Sequence, residues 1–186
     1  MATEINEEFY ILGIRSNSRV YEELKESVDE LMTAFALRIG HPIKAAVSSV
    51  AANLSELARV RTEAEVTMRF GRMFEPEANL YYYDNYIVYH LLSRATGNRV
   101  VIKLYDDIIR RITIYDAEHK TALVETLRVL AMSDFNMQQA AEKLFIHRNT
   151  LYKRIEKLSE LLDMDFHSTG NYLIFQIAVR LQQLLS

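Results

Sequence analysis

Residues 136–158 read Asn136-Met-Gln-Gln-Ala-Ala-Glu-Lys-Leu-Phe-Ile-His-Arg-Asn-Thr-Leu-Tyr-Lys-Arg-Ile-Glu-Lys-Leu158, and the spacing inside this stretch decides the fold of the last third of the chain. Asn136 is a good helix cap, and Gln139 three positions later completes a variant of the capping box, so a helix is expected through Lys143. Ala140 and Ala141 on that helix are small enough for a second helix to cross it at close range. Leu144-Phe-Ile146 then forms a turn, and His147 stands where the next helix begins.

In that next helix Leu151, Ile155, Leu158 and Leu162 are spaced by four, three and four residues, which makes one buried stripe. At about 100° per residue, Asn149, Tyr152, Lys153 and Glu156 point away from the stripe, while Arg148, Thr150, Arg154 and Lys157 flank it. Between Lys143 and Lys157 there are five basic residues (Lys143, Arg148, Lys153, Arg154, Lys157) against one acidic residue, Glu156. Two crossed helices with a basic face on the second have the pattern of a helix-turn-helix, whose second helix enters the DNA major groove N-terminus first. On that reading Arg148, Asn149, Tyr152 and Lys153 are the base-edge candidates, because Arg suits guanine and Asn suits adenine in bidentate geometry. Lys143, Thr150, Arg154, Lys157 and the first amides of the Met137 helix are the phosphate candidates. The same spacing also fits a helical hairpin packed in a bundle, with its basic face merely solvated.

The stretch Asp116 to Leu185 resembles the C-terminal helix-turn-helix domain of the PucR/CdaR family of bacterial transcriptional regulators. The resemblance is carried by Leu123-Val-Glu-Thr-Leu127, Asn136, Ala140-Ala-Glu-Lys-Leu-Phe-Ile-His-Arg-Asn-Thr-Leu151, Arg154 and Leu158 to Leu162. It implies a transcriptional regulator that binds double-stranded DNA at a promoter or operator and responds to a small-molecule effector of unknown identity. Similar proteins carry, just before this domain, a degenerate GGDEF-like domain related to nucleotide cyclases. Residues 9 to 92 look like a shortened copy, through the order of strands and helices and through Ser55-Glu-Leu and Glu63-Ala-Glu. The family's upstream sensory domain is not represented, so the chain reads as a fragment or as a short member.

Outward from the quoted stretch, the chain divides by pattern. Phe9-Tyr-Ile-Leu-Gly-Ile14 reads as a buried strand closed by a polar turn. Leu24, Val28, Leu31, Met32, Phe35 and Ile39 form a helical stripe stopped by Gly40 and Pro42. Ile43 to Val50 reads as a second strand, Leu54 to Phe70 as a second helix, Leu80 to Tyr83 as a third strand and Tyr86 to Leu92 as a short helix, giving a βαβαβα half. From Val100 onward only helical periodicity is visible, broken at Tyr115-Asp116, Asp134 to Asn136, Phe145 to His147 and His167 to Asn171. The expected organisation is therefore a shortened GGDEF-like domain over residues 1–97 and a helical domain over 98–186, an α+β chain that is predominantly α.

Composition agrees with a folded, helical chain. Among 186 residues, 49% are hydrophobic and 25% charged, with only 5 Gly and 2 Pro to make sharp turns. The absence of cysteine excludes disulfides and thiolate metal sites. Met1 to Glu8 is acidic and polar instead of basic then apolar, and no stretch approaches the roughly 18 apolar residues of a membrane span, so the cytoplasm is the default location. A net charge of −3 gives no whole-chain attraction to nucleic acid, which leaves the local basic face to supply it.

Catalysis finds no support. An active cyclase of the GGDEF type needs its signature hairpin and metal-binding acids, and the corresponding place reads Arg38-Ile-Gly-His-Pro-Ile43 with neither. The histidines at 41, 90, 119, 147 and 167 have no metal-ligand spacing. Strand alternation puts Tyr81 and Tyr83 on one face and Tyr82 on the other, and core packing is the expected use of that face. No enzyme activity, metal or cofactor is assigned. The front half is expected to dimerise the chain or relay a signal. A homodimer is expected because helix-turn-helix heads commonly pair to span half-sites about 34 Å apart. The competing function is a helical protein-interaction module that keeps the fold without binding DNA.

Overall fold

The computed structural model describes residues 20–40 and 43–185. The described residues up to Tyr83 form one compact unit and those from Asp84 onward a second, so the division expected between residues 97 and 98 falls inside the second. The strand expected at Phe9–Ile14 lies outside the described residues.

The first unit opens with α1, Val20–Ile39, which ends where the sequence pattern does. Gly40 adopts φ +75, and its amide donates back to the Ala36 carbonyl at 3.0 Å, the left-handed helix stop that glycine makes without strain. Strand β1, Ala45–Val47, lies parallel to β2, Leu80–Tyr82, in the register Ala45 to Leu80, Ala46 to Tyr81 and Val47 to Tyr82. Helix α2, Leu57–Phe74, makes the crossover, preceded by a single 3-10 turn capped by Asn53. Among the described residues this unit holds one βαβ crossover with α1 ahead of it.

Strand β1 is shorter than the eight residues expected because side chains of α2 capture its end. The Glu63 carboxylate is buried and accepts from the Ser49 amide (3.2 Å) and hydroxyl (2.6 Å). Arg59 in turn donates to Glu63, to the Ser49 hydroxyl and to the Val50 carbonyl. Backbone groups of Ser49 and Val50 that would have continued a ladder are thereby satisfied elsewhere. On the other strand, Tyr81 is almost wholly buried, as its place on the pleat suggested. Its hydroxyl donates to the Ala78 carbonyl at 2.7 Å, and Lys44 Nζ reaches the Pro76 and Ala78 carbonyls at 2.6 Å each.

The second unit is all helical. Helix α3, Tyr83–Ala95, follows β2 directly, and α4, Arg99–Tyr105, is capped by Asn98 and runs through one wide π-type turn at Asp106–Arg110 into α5, Arg111–His119. Then come α6, Leu123–Met132, α7, Met137–Lys143, α8, Arg148–Leu162, and α9, Thr169–Leu185. One core joins Ile108, Ile109 and Ile112 to Leu123, Leu127 and Leu130, the α8 stripe, Phe166, Phe175 and Val179.

Two of the expected breaks fall elsewhere. The helix does not stop at Tyr115-Asp116 but continues to His119, with left-handed Lys120 at its end. Asp116 is a cap, though for the following helix: Oδ1 accepts from the Leu123 amide at 2.8 Å and Oδ2 from the Val124 amide at 2.9 Å. Likewise the break expected at His167–Asn171 begins earlier, at left-handed Asp163, and α9 is already under way at Thr169. Asp165 holds that connection through the His167 amide and through the side chain of Asn171.

Candidate nucleic-acid interface

The quoted stretch folds as two helices joined by a tight turn. Asn136 sits in extended backbone and its Oδ1 accepts from the Gln138 and Gln139 amides, 3.1 Å each, so the cap forms. The reciprocal half of the expected box does not: the Asn136 amide donates to the Ser133 carbonyl at 2.8 Å instead. Two of the amides proposed to receive phosphate are thus already engaged. Ala140 and Ala141 are buried, which lets α7 pack against α6 and α8 at backbone-limited range.

The start of α7 is held from below by α9. The Phe135 ring stacks on Tyr172 with centroids 4.0 Å apart, and Gln176 Nε2 donates to Asp134 Oδ1 at 3.1 Å. Asp134 and Phe135 both adopt positive φ, a backbone that turns the chain sharply from α6 into α7.

The turn between α7 and α8 is a Schellman motif. The Phe145 amide donates to the Glu142 carbonyl and the Ile146 amide to the Ala141 carbonyl, both at 3.1 Å, with Phe145 left-handed at φ +54. His147 then caps α8: its Nδ1 accepts from the Asn149 amide at 3.2 Å.

On α8 the expected stripe is complete, with Leu151, Ile155, Leu158 and Leu162 all buried. Each such side chain contributes roughly 1.5–3 kcal/mol by leaving water, which fixes the rotation of the helix about its axis. Arg148, Asn149, Tyr152 and Lys153, the base-edge candidates, are therefore all exposed, along the first turn and a half of α8.

The phosphate candidates diverge. Lys143 and Thr150 are exposed, and Lys143, Arg148 and Lys153 form no ion pair among the described residues. Arg154 is half-buried and donates from Nη1 to Thr126 Oγ1 on α6 at 3.0 Å. Lys157 pairs with Glu160 at 3.0 Å and lies over the Tyr115 ring, 5.4 Å from its centroid; the Glu160 carboxylate raises its pKa above the ordinary lysine value. Sequence reasoning passed over Phe145, whose signal was a bulky residue at the position where a helix stop favours glycine. It also passed over Thr126, which no local pattern marks.

Three helices, α6 to α8, packed so that the last presents an exposed basic face at its N-terminus, define a helix-turn-helix domain. Residues 123–181, from the first residue of α6 into α9, match the PucR C-terminal helix-turn-helix domain. The chain is similar to the proline-responsive transcriptional activator PutR of Bacillus subtilis, 25% identical over 167 residues that cover 89% of this chain and 41% of that protein. It is also similar to the DNA-binding transcriptional activator AdeR of Bacillus subtilis, 23% identical over 99% of this chain and 44% of the relative. The carbohydrate diacid regulator of Escherichia coli is 24% identical over 87% and 41%. The chain spans about two fifths of the length of these relatives. Among the described residues no helix is long and apolar enough to cross a membrane.

Proposed function

We propose that this chain is a sequence-specific DNA-binding transcriptional regulator whose α8 enters the major groove of double-stranded DNA. One observation carries the reading: Arg148, Asn149, Tyr152 and Lys153 stand exposed on a helix locked by its opposite stripe, within the stretch that matches the PucR C-terminal helix-turn-helix domain. Their chemistry suits base edges, and the unpaired cations Lys143, Arg148 and Lys153 supply attraction to phosphate that the net-acidic chain lacks. Thr150 completes the phosphate set, while Arg154 and Lys157, each held within the protein, take the smaller share of it.

Residues 1–97 are read as a shortened, degenerate GGDEF-like domain that dimerises the chain or relays a signal to the helical domain at 98–186. The βαβ crossover supports this reading. A homodimer follows from the need to span two half-sites. A small-molecule effector is supported by the description of one relative as proline-responsive.

The test is binding to a promoter fragment across a salt series. Replacing Arg148 and Lys153 together by alanine is expected to weaken binding and to reduce the dependence of log affinity on log salt by about one to two units. Unaltered binding and slope would overturn the DNA reading, and a monomer in light scattering at micromolar concentration would overturn the dimer.

A further inference from the structure

We infer that Phe145 is a specificity-determining residue, its exposed ring packing on the C5-methyl group of a thymine in the major groove beside α8. The inference rests on the DNA-binding reading above and adds to it a residue and the chemical group that residue recognises.

Phe145 is 95% exposed, more than any other large apolar side chain among the described residues. It also holds φ +54, the left-handed backbone that bulky side chains avoid and that glycine or asparagine adopts readily at a helix stop. Within the protein alone both features argue against phenylalanine here. The ring gains no burial, and the backbone is strained by carrying it. The left-handed backbone itself serves the α7–α8 turn, but glycine or asparagine would close that turn without strain, so it is the exposed ring that the fold does not use.

The surroundings identify the partner. From Lys143 to Ile155 there is no acidic residue, and Lys143, Arg148 and Lys153 have no ion pair among the described residues. An apolar protein surface laid on Phe145 would leave these cations without counter-charge. Duplex DNA supplies both needs, phosphates for the cations and, in the major groove, a thymine methyl as an apolar contact for a phenyl ring. The chain geometry agrees with this, because Phe145 precedes the first residue of α8 by only three positions. That puts it at the helix end where Arg148 and Asn149 stand.

The experiment uses the full chain, a duplex selected by it from a random pool, and a Phe145→Gly variant whose left-handed backbone is relaxed. The variant should melt at a temperature no lower than the unmutated chain and bind the selected duplex roughly tenfold more weakly. Its salt slope should be unchanged, since no charge is lost. Replacing thymines one at a time by deoxyuridine removes only the methyl group. At one thymine per half-site this should weaken the unmutated chain about fourfold, the effect of one buried methyl, and leave Phe145→Gly unaffected. Should Phe145→Gly fold and bind as tightly as the unmutated chain, or should both proteins respond alike to every deoxyuridine, the inference is overturned while the DNA reading stands. If the unmutated chain selects no duplex at all, both fall. Phe145→Asn serves as a second variant with the same backbone tolerance and the same expectation.

Discussion

Arg154 Nη1 donates to Thr126 Oγ1 at 3.0 Å, tying the flank of α8 to a fully buried hydroxyl of α6. The same hydroxyl donates to the Ala122 carbonyl at 2.7 Å, so one side chain links the start of its own helix to the helix that carries the basic face. Replacing Arg154 by alanine removes a charged hydrogen bond and the packing of the aliphatic stem, and should lower stability by about 1–2 kcal/mol in urea unfolding. The salt slope for DNA should change less than it does for Lys153→Ala. A slope that falls by a full unit with stability intact would make Arg154 a phosphate ligand instead.

Gly71 stands directly over the Tyr81 ring. A Cβ added at residue 71 would lie 2.2 Å from Tyr81 Cγ, with the ring pinned by its hydroxyl bond to Ala78. Ring and backbone cannot both stay, so Gly71→Ala should destabilise the first unit by about 3 kcal/mol. Thermal unfolding followed by tyrosine fluorescence measures it, and a loss under about 1 kcal/mol would mean that the ring swings away freely.

Asp116 spans a helix boundary. Its carboxylate accepts from the Leu123 and Val124 amides and from the Thr121 hydroxyl, joining α5 to the first turn of α6. Asp116→Ala should cost about 1–2 kcal/mol, with faster hydrogen exchange at the Leu123 and Val124 amides in particular. Uniform acceleration across α6, or none, would contradict a local cap.

Glu125 and Arg128 form an i, i+3 pair on α6 at 2.6 Å, and the guanidinium holds the Glu125 carboxyl below its ordinary pKa. A depressed carboxylate pKa contributes stability that is present above the unfolded value and lost as pH falls through the folded one. The window is thus below pH about 4.3. Both side chains are more than two fifths exposed, so solvent screening keeps the contribution under about 0.5 kcal/mol. Glu125→Gln should accordingly lower stability by up to about 0.5 kcal/mol at neutral pH and converge with the unmutated chain once the carboxyl is protonated, flattening the acid limb slightly. A loss above 1 kcal/mol at pH 7 would show that the pair is far stronger than its exposure allows.

Much of the candidate interface is legible in the linear order of residues, because helical periodicity is local. The stripe at Leu151, Ile155, Leu158 and Leu162 sets which face of α8 is buried, and so which residues are exposed, without reference to any other element. Asn136 as a cap and Gly40 as a stop are equally local, each being a matter of a few neighbouring backbone groups. Tertiary structure alone decides which cations remain available. Arg154 and Lys157 have the same helical angle and charge as any flanking cation, yet Thr126 and Tyr115 engage them from helices earlier in the chain. Only tertiary structure, too, turns Asp116 from an apparent helix end into a cap for the next helix and shortens β1 through Glu63 and Arg59. A hydrogen bond depends on distance in space, and nothing in the spacing of residues says which distant group the fold will bring within 3 Å.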